Sequence, residues 1–104
     1  MHYVILATHN AEVCPTANAT VREMLLEMAP QIPDLAEKNG VTITAGPYAN
    51  REHVVVLVAD AQSADGLDQF LAQTRLDLFN SVRILPSLSM EEAMRELTEG
   101  TALF

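Results

Sequence analysis

The segment "HVVVLVA", residues 53–59, constrains the fold of this chain more than any other feature of the sequence. Every residue after His53 is apolar, whereas a strand with one face in solvent alternates apolar and polar side chains. The run therefore predicts a central strand of a sheet that is covered on both faces. With 104 residues the chain has the length of one domain, and the cover has to come from that domain or from a partner.

Three further strands are predicted around this segment. The run "HYVILAT" at residues 2–8 is short and rich in residues that favour strands. The run "VTITAGPY" at residues 41–48 alternates like a half-exposed edge strand, and Pro47 near its end suits an edge. "NSVRILPS" at residues 80–87 predicts the fourth strand. A turn from Gly46 to Glu52 connects the second strand to the third.

Capping patterns and helical periodicity predict the helices. The first begins between Pro15 and Thr20, with Thr20 and Glu23 as a capping box, and Pro30 and Pro33 interrupt it before a last turn that ends at Gly40. Ser63 opens a second helix, "ADGLDQFLAQTR". Ser89 and Glu92 form a capping box for a third, "MEEAMRELTE".

The element order β-α-β-β-α-β with a C-terminal helix predicts an α+β protein with a single ferredoxin-like domain over residues 1–104. Its antiparallel sheet would have the strand order 4-1-3-2, with both helices on one face. The alternate side chains of the two central strands are apolar on both faces, and the predicted elements leave the second face uncovered. We therefore expect a homodimer in which two sheets pack face to face.

The element order, the sheet that is apolar on both faces and the closing "LPSLSMEEAM" resemble the dimeric α/β-barrel superfamily. That group includes stress-responsive barrel domains, small monooxygenases and isomerases. The resemblance covers nearly the whole chain and implies a dimer with a cavity for a small organic ligand or haem. It rests on pattern rather than on a catalytic signature, so it does not select one of these uses.

Charge and composition exclude several function classes. The net charge is −8 and the six basic residues are scattered singly, which argues against binding to nucleic acid or to an anionic membrane. No segment approaches the roughly 18 consecutive apolar residues of a membrane span. The N-terminal segment has no basic leader, and the single cysteine cannot form an internal disulfide. We therefore expect a cytoplasmic protein.

The segment "THNAEVCPT", residues 8–16, holds the candidate functional residues. His9 ends the first strand and His53 begins the third, so an antiparallel pairing of these strands would bring the two imidazoles together, on the face away from the helices. Cys14 lies in the loop that leaves the same end, and Glu12 is nearby. Two imidazoles and a thiolate suit zinc or copper, with Glu12 as a fourth ligand. Haem is the less favoured cofactor.

Other interpretations of these residues stay open, and the sequence does not decide whether the protein is an enzyme. Cys14 at the start of a helix would have a lowered pKa and could act as a nucleophile with His9 as general base, on an apolar substrate. Tyr48 and Arg51 in the hairpin are candidates for binding a ligand or cofactor. Alternatively, His9 and His53 only cap backbone groups at strand ends and Cys14 is a small buried side chain, with no site at all.

Overall fold

A four-stranded antiparallel sheet forms the centre of the computed structural model, which describes residues 1–100, 102 and 103. Its strands run in the order β2-β3-β1-β4, which read from the β4 edge is 4-1-3-2. The α+β class and the antiparallel sheet are confirmed. The bounds of the strands are β1 His2–Thr8, β2 Val41–Tyr48, β3 Val54–Ala61 and β4 Ser81–Ser87.

Five α-helices and two short 3-10 turns connect and follow the strands in the described part of the chain. None of these helices is long and apolar enough to cross a membrane. The bounds are a 3-10 turn Ala11–Val13, α1 Ala19–Met28, a 3-10 turn Ala29–Gln31, α2 Ile32–Lys38, α3 Ala64–Gln73, α4 Leu76–Phe79 and α5 Met90–Thr98.

The starts of α3 and α5 confirm two predicted caps. The Ser63 hydroxyl accepts a hydrogen bond from the Gly66 N–H at 3.0 Å. Ser89 and Glu92 form both halves of a capping box at the start of α5. Each cap satisfies backbone N–H groups that the first helical turn leaves without partners.

The predicted capping box of α1 is wrong. Asn18, in an extended conformation, caps the helix instead, and its side-chain oxygen accepts a hydrogen bond from the Val21 N–H at 3.0 Å. Thr20 lies inside the first turn, because the loop after Pro15 is long enough for Asn18 to take the capping position. The break at Pro30 is confirmed: α1 ends at Met28 and a 3-10 turn leads into α2.

The hydrophobic core lies between one face of the sheet and the helices. Ile5 of β1 and Leu57 of β3 are buried beneath Leu67, Phe70 and Leu71 of α3. In β1 the side chains on this face belong to Tyr3, Ile5 and Ala7, and His9 continues the same alternation. The prediction that His9 faces away from the helices is therefore wrong. His53 precedes β3 with a positive φ, so alternation does not place it, but its ring lies 5.3 Å from the His9 ring. Both faces of the central strands are apolar, so alternation alone could not tell which one the helices cover.

The opposite face of the sheet, called here the open face, has no buried residue and is apolar apart from polar side chains such as Arg83, which pairs with Leu6. Cross-strand pairing places Val4 between Val58 of β3 and Leu85 of β4, and all three are half-buried. The following helix, α5, also buries none of its residues, and its apolar side chains Met90 and Met94 are 76% and 54% exposed. Contiguous apolar surface of this kind is typical of an interface.

Candidate metal centre

His9 lies between His53 and Asn80 because the register of the sheet continues one residue past β1. Thr8, the last residue of β1, pairs with Val54 of β3 on one side and with Ser81 of β4 on the other. His9 follows Thr8, His53 precedes Val54 and Asn80 precedes Ser81, so these three residues continue the same antiparallel register. On the β3 side the His9 N–H donates to the His53 carbonyl at 3.1 Å. The sheet itself therefore juxtaposes the two histidines.

The loop after β1 returns Cys14 to the same end of the sheet. Its N–H donates to the Ala11 carbonyl, and its own carbonyl accepts hydrogen bonds from the N–H groups of Ala17 and Asn18 at 2.9 and 2.8 Å. The Arg22 side chain of α1 donates to the carbonyl of Pro15 at 3.0 Å and also contacts the loop one residue further on. These bonds tie the loop to the start of α1 and hold Cys14 near the strand ends.

Three ligand atoms converge at this point. One ring nitrogen of His9, one of His53 and the Cys14 sulfur all lie within 4.8 Å of one another. Around a tetrahedral zinc ion, bond lengths of about 2.0–2.1 Å to nitrogen and 2.3 Å to sulfur place ligand atoms about 3.3–3.6 Å apart. Side-chain rotations that move the ligand atoms by roughly 1 Å would bring them to the spacing that zinc requires. The cluster therefore has the donors and nearly the spacing of a metal site.

Asn80 determines which nitrogen of His9 faces the cluster. The Asn80 amide nitrogen donates to the Leu76 carbonyl at 2.9 Å, so its oxygen is the atom that faces His9 Nδ1, at 2.8 Å. An amide oxygen only accepts hydrogen bonds, so Nδ1 carries the proton. In a neutral imidazole the Nε2 lone pair is then free, and Nε2 is buried with no hydrogen-bond partner in the described residues.

A buried acceptor without a partner is unfavourable, and a bound cation or a proton donor relieves it. Metal-binding histidines characteristically donate their second ring N–H to an oxygen that fixes the ring and the tautomer. His9 and Asn80 reproduce this arrangement. The ring of Phe79 lies 5.6 Å from the His9 ring and the ring of His53 lies 5.3 Å away, so aromatic contacts also hold the His9 imidazole in place.

The environment of Cys14 favours the thiolate. The backbone N–H of Thr16 is the main cause that lowers the pKa of the thiol, and the side chains of His9, Thr16 and His53 lower it further. Together they bring the pKa from 9.0 to about 6. Because thiolates are the form of cysteine that binds metals, the site is prepared for a cation at neutral pH.

We predict that the rate of alkylation of Cys14 in the metal-free protein rises with pH with a midpoint near 6, as the thiolate forms. Replacing His9 with alanine should move the midpoint upward, because one stabilising group is lost. A midpoint near the ordinary thiol value of about 8.5 would contradict the arrangement.

Since the pKa of Cys14 is lowered on folding, the stability that ionised Cys14 contributes is complete above pH 9.0 and is lost as the pH falls through about 6.

The structure does not bring the other predicted residues to the cluster. Glu12 lies exposed on the 3-10 turn, and its carboxylate is not part of the converging group of described residues. Tyr48 is 60% exposed at the end of β2, paired with Val56 on the open face. Arg51 is exposed in the turn that follows. Neither Tyr48 nor Arg51 lines the cavity that adjoins His9.

An open cavity of about 750 Å³ adjoins the His9 and Asn80 side of the cluster. Most of its remaining lining is apolar and comes from α1, the loop before it and α4: Val13, Val21, Met24, Leu78 and Phe79. Cys14 and His53 are not part of this lining. The cavity therefore lies beside the cluster rather than around it.

Asn80 is a site residue that the sequence analysis missed. The signal that could have identified it is its position directly before the fourth strand, since a 4-1 antiparallel pairing places residue 80 beside the end of β1. Its burial could not be read from the sequence, because the short helix α4 that precedes Asn80 and accepts its amide hydrogen bond was not predicted. Asn80 is only 8% exposed.

Replacing Asn80 with leucine should lower metal affinity about 10–100-fold, because the His9 N–H loses its acceptor and the ring loses its fixed tautomer. Competition with a chromophoric chelator measures the affinity, and ¹⁵N NMR of the His9 ring reports the tautomer. Asn80→Asp, which retains an acceptor oxygen, should keep the proton on Nδ1. Unchanged affinity together with an unchanged tautomer in Asn80→Leu would rule out this role of Asn80.

The chain matches no protein-family model, no curated protein and no solved structure. The resemblance to dimeric α/β barrels therefore stays a prediction from the sequence. What the protein does has to be inferred from the site itself.

Proposed function

We propose that this protein binds a transition-metal ion, zinc or copper, through His9, Cys14 and His53. The observation that carries the proposal is the convergence of one sulfur and two imidazole nitrogens within 4.8 Å, with the His9 Nε2 lone pair buried and free. Sulfur and imidazole donors are the set that zinc and copper prefer. The hydrogen bond from His9 to Asn80 supplies the support that such ligands require.

A thiol-dependent enzyme is the second candidate, and the lowered pKa of Cys14 favours it. In that mechanism His9 would accept the thiol proton, which requires a hydrogen bond between the base and the nucleophile. His9 Nε2 has no hydrogen-bond partner of good geometry among the described residues, although the His9 side chain lies close enough to Cys14 to lower the pKa of its thiol. A metal ion would use the Cys14 sulfur and both imidazoles at once, whereas a thiol nucleophile with His9 as base leaves the convergence of His53 unexplained, so metal binding accounts for more of the cluster.

The experiment that tests the proposal is elemental analysis of protein purified without a histidine tag, followed by titration of the metal-free protein with zinc or copper. We expect one ion per chain, bound at micromolar protein concentration. His2→Ala is the matched control, because His2 lies at the other end of β1 and contacts Asp60 and Glu92 instead of the cluster. A protein that binds neither ion would refute the proposal.

We further propose that two copies associate through the open face, as a ferredoxin-like dimeric α/β barrel in the cytoplasm. Four strands about 4.8 Å apart and about seven residues long present a face of roughly 20 by 24 Å. That is less than the roughly 800 Å² per partner of a stable interface. The exposed side chains Met90, Met94 and Leu97 of α5 would supply the remainder from the same chain.

Sedimentation equilibrium tests the association directly, and we predict a dimer at micromolar concentration. Val58→Lys places a charge in the middle of the open face and should yield monomers, because an unpaired charge in an apolar interface is strongly unfavourable. Leu26→Lys is the control, since Leu26 is 66% exposed on α1, away from that face. A wild-type monomer at millimolar concentration would exclude the dimer.

A further inference from the structure

We infer that the ion held by His9, Cys14 and His53 is monovalent copper, bound by these three ligands with no water in the coordination shell. This inference rests on the proposed metal-binding function and specifies the ion. Zinc and copper(I) both accept sulfur and nitrogen donors, so the donor types alone do not distinguish them. Zinc and copper(I) are distinguished here by the number of ligands, by the exposure of the site to solvent and by its charge.

The number of ligands is the first distinction. The converging group has three members, and the described residues add no carboxylate to it. Structural zinc sites are almost always four-coordinate with protein ligands, and zinc sites with three protein ligands hold water or substrate in the fourth position. Zinc at this site would therefore need access for an outside ligand. A soft monovalent ion is satisfied by one thiolate and two imidazoles.

Exposure to solvent is the second distinction. His9 Nε2, the ligand atom whose direction Asn80 fixes, is buried out of contact with solvent. The rings of Phe79 and His53 pack within 5.6 and 5.3 Å of the His9 ring and shield it. The open cavity adjoins His9 on its Asn80 side, while Cys14 and His53 lie outside the cavity lining. The His9 side of the site is therefore closed to water, and a water ligand on the metal would have to approach past the half-buried side chains of Cys14 and His53.

Charge is the third distinction. A thiolate and two neutral imidazoles carry −1, so a monovalent ion yields a neutral centre and a divalent ion a net positive one. The guanidinium of Arg22 donates to the carbonyls of Pro15 and Thr16, the two residues that follow Cys14. This exposed cation of α1, held against the Cys14 loop, weakly disfavours a second positive charge there, because solvent screens part of the repulsion. A neutral centre avoids that repulsion.

Binding requires no oxidant or reductant when the copper is supplied in the monovalent state. Cys14 binds as the thiolate and any proton on the sulfur passes to solvent, while both histidines donate a lone pair. The proton on His9 Nδ1 stays on its hydrogen bond to Asn80.

The test uses the full chain without a tag and without oxygen. Copper(I) is supplied as its acetonitrile complex in competition with a chromophoric copper(I) chelator, and X-ray absorption at the copper edge measures the coordination shell. We expect one copper per chain with two nitrogen ligands and one sulfur ligand. Cys14→Ser should weaken binding more than 100-fold, beyond the roughly 10–100-fold typical for loss of a supporting partner. His2→Gln should leave it unchanged.

A parallel titration with zinc distinguishes the possible failures. If the protein binds zinc with four ligands and one equivalent of copper(I) does not displace it, the copper inference is overturned while the metal-binding proposal stands. Four-coordinate copper, or copper bridged between the cysteines of two chains, would also overturn it. If neither ion binds, the proposed function fails together with the inference.

Discussion

Replacing Cys14 with alanine is expected to reduce the affinity for a transition metal by more than 100-fold. Cys14 is the only donor of the cluster that carries negative charge when it binds, and the described residues bring no carboxylate to replace it. Loss of a supporting partner alone typically costs about 10–100-fold, and loss of a direct ligand should exceed that range. Competition against a chelator of known affinity measures the change.

His9→Ala and His53→Ala should weaken binding in the same way, because each removes one of the two nitrogen donors. His2→Ala should have no effect on affinity, since His2 lies at the far end of β1 beside Asp60. Circular dichroism of every variant confirms that the fold is retained. If Cys14→Ala bound metal as tightly as the wild type, the cluster would not be the binding site.

The largest effect on stability is expected for Phe70→Ala, which should lower the free energy of unfolding by about 3–5 kcal/mol. Phe70 is only 1% exposed and lies at the centre of the core between α3 and the sheet. Its loss removes a large apolar side chain and leaves a cavity that the neighbouring side chains fill only in part. Because domains of this size are stable by only about 5–15 kcal/mol, the variant would be close to unfolding.

Urea unfolding in the presence of a chelator measures this change without a contribution from bound metal. Leu26→Ala is the matched control, because Leu26 is 66% exposed on α1 and its truncation should change stability by less than about 0.5 kcal/mol. Equal midpoints for the two variants would show that the core is not centred on Phe70.

The pairing of His9 with His53 could be predicted because it depends only on the order and direction of the strands. Two neighbouring antiparallel strands necessarily place the end of one beside the start of the other. Cys14 could be placed near them because only a short loop separates it from His9. The caps of α3 and α5 could be predicted because the residues that form each cap lie within one helical turn of each other.

The face of the sheet on which the site lies could not be predicted. Both faces of β1 and β3 are apolar, so the face that is covered depends on how α2, α3 and α4 pack against the sheet. The cap at Asn18 depended on the path of the loop that contains Pro15. The exclusion of Glu12 from the cluster follows from the 3-10 turn that carries it, since its side chain is exposed there.

The amino-acid sequence by itself determined the α+β class, the strand boundaries to within a few residues and the convergence of three of the four proposed ligands, His9, Cys14 and His53. These properties follow from alternation, capping and residue chemistry, which act over a few neighbouring residues, and from the order of the strands. The tertiary structure alone decided that His9 faces the helices and that Asn80 accepts a hydrogen bond from its Nδ1–H. Those relations join residues far apart in the chain, and only the packing of α4 and the registration of β4 against β1 bring them within hydrogen-bonding distance.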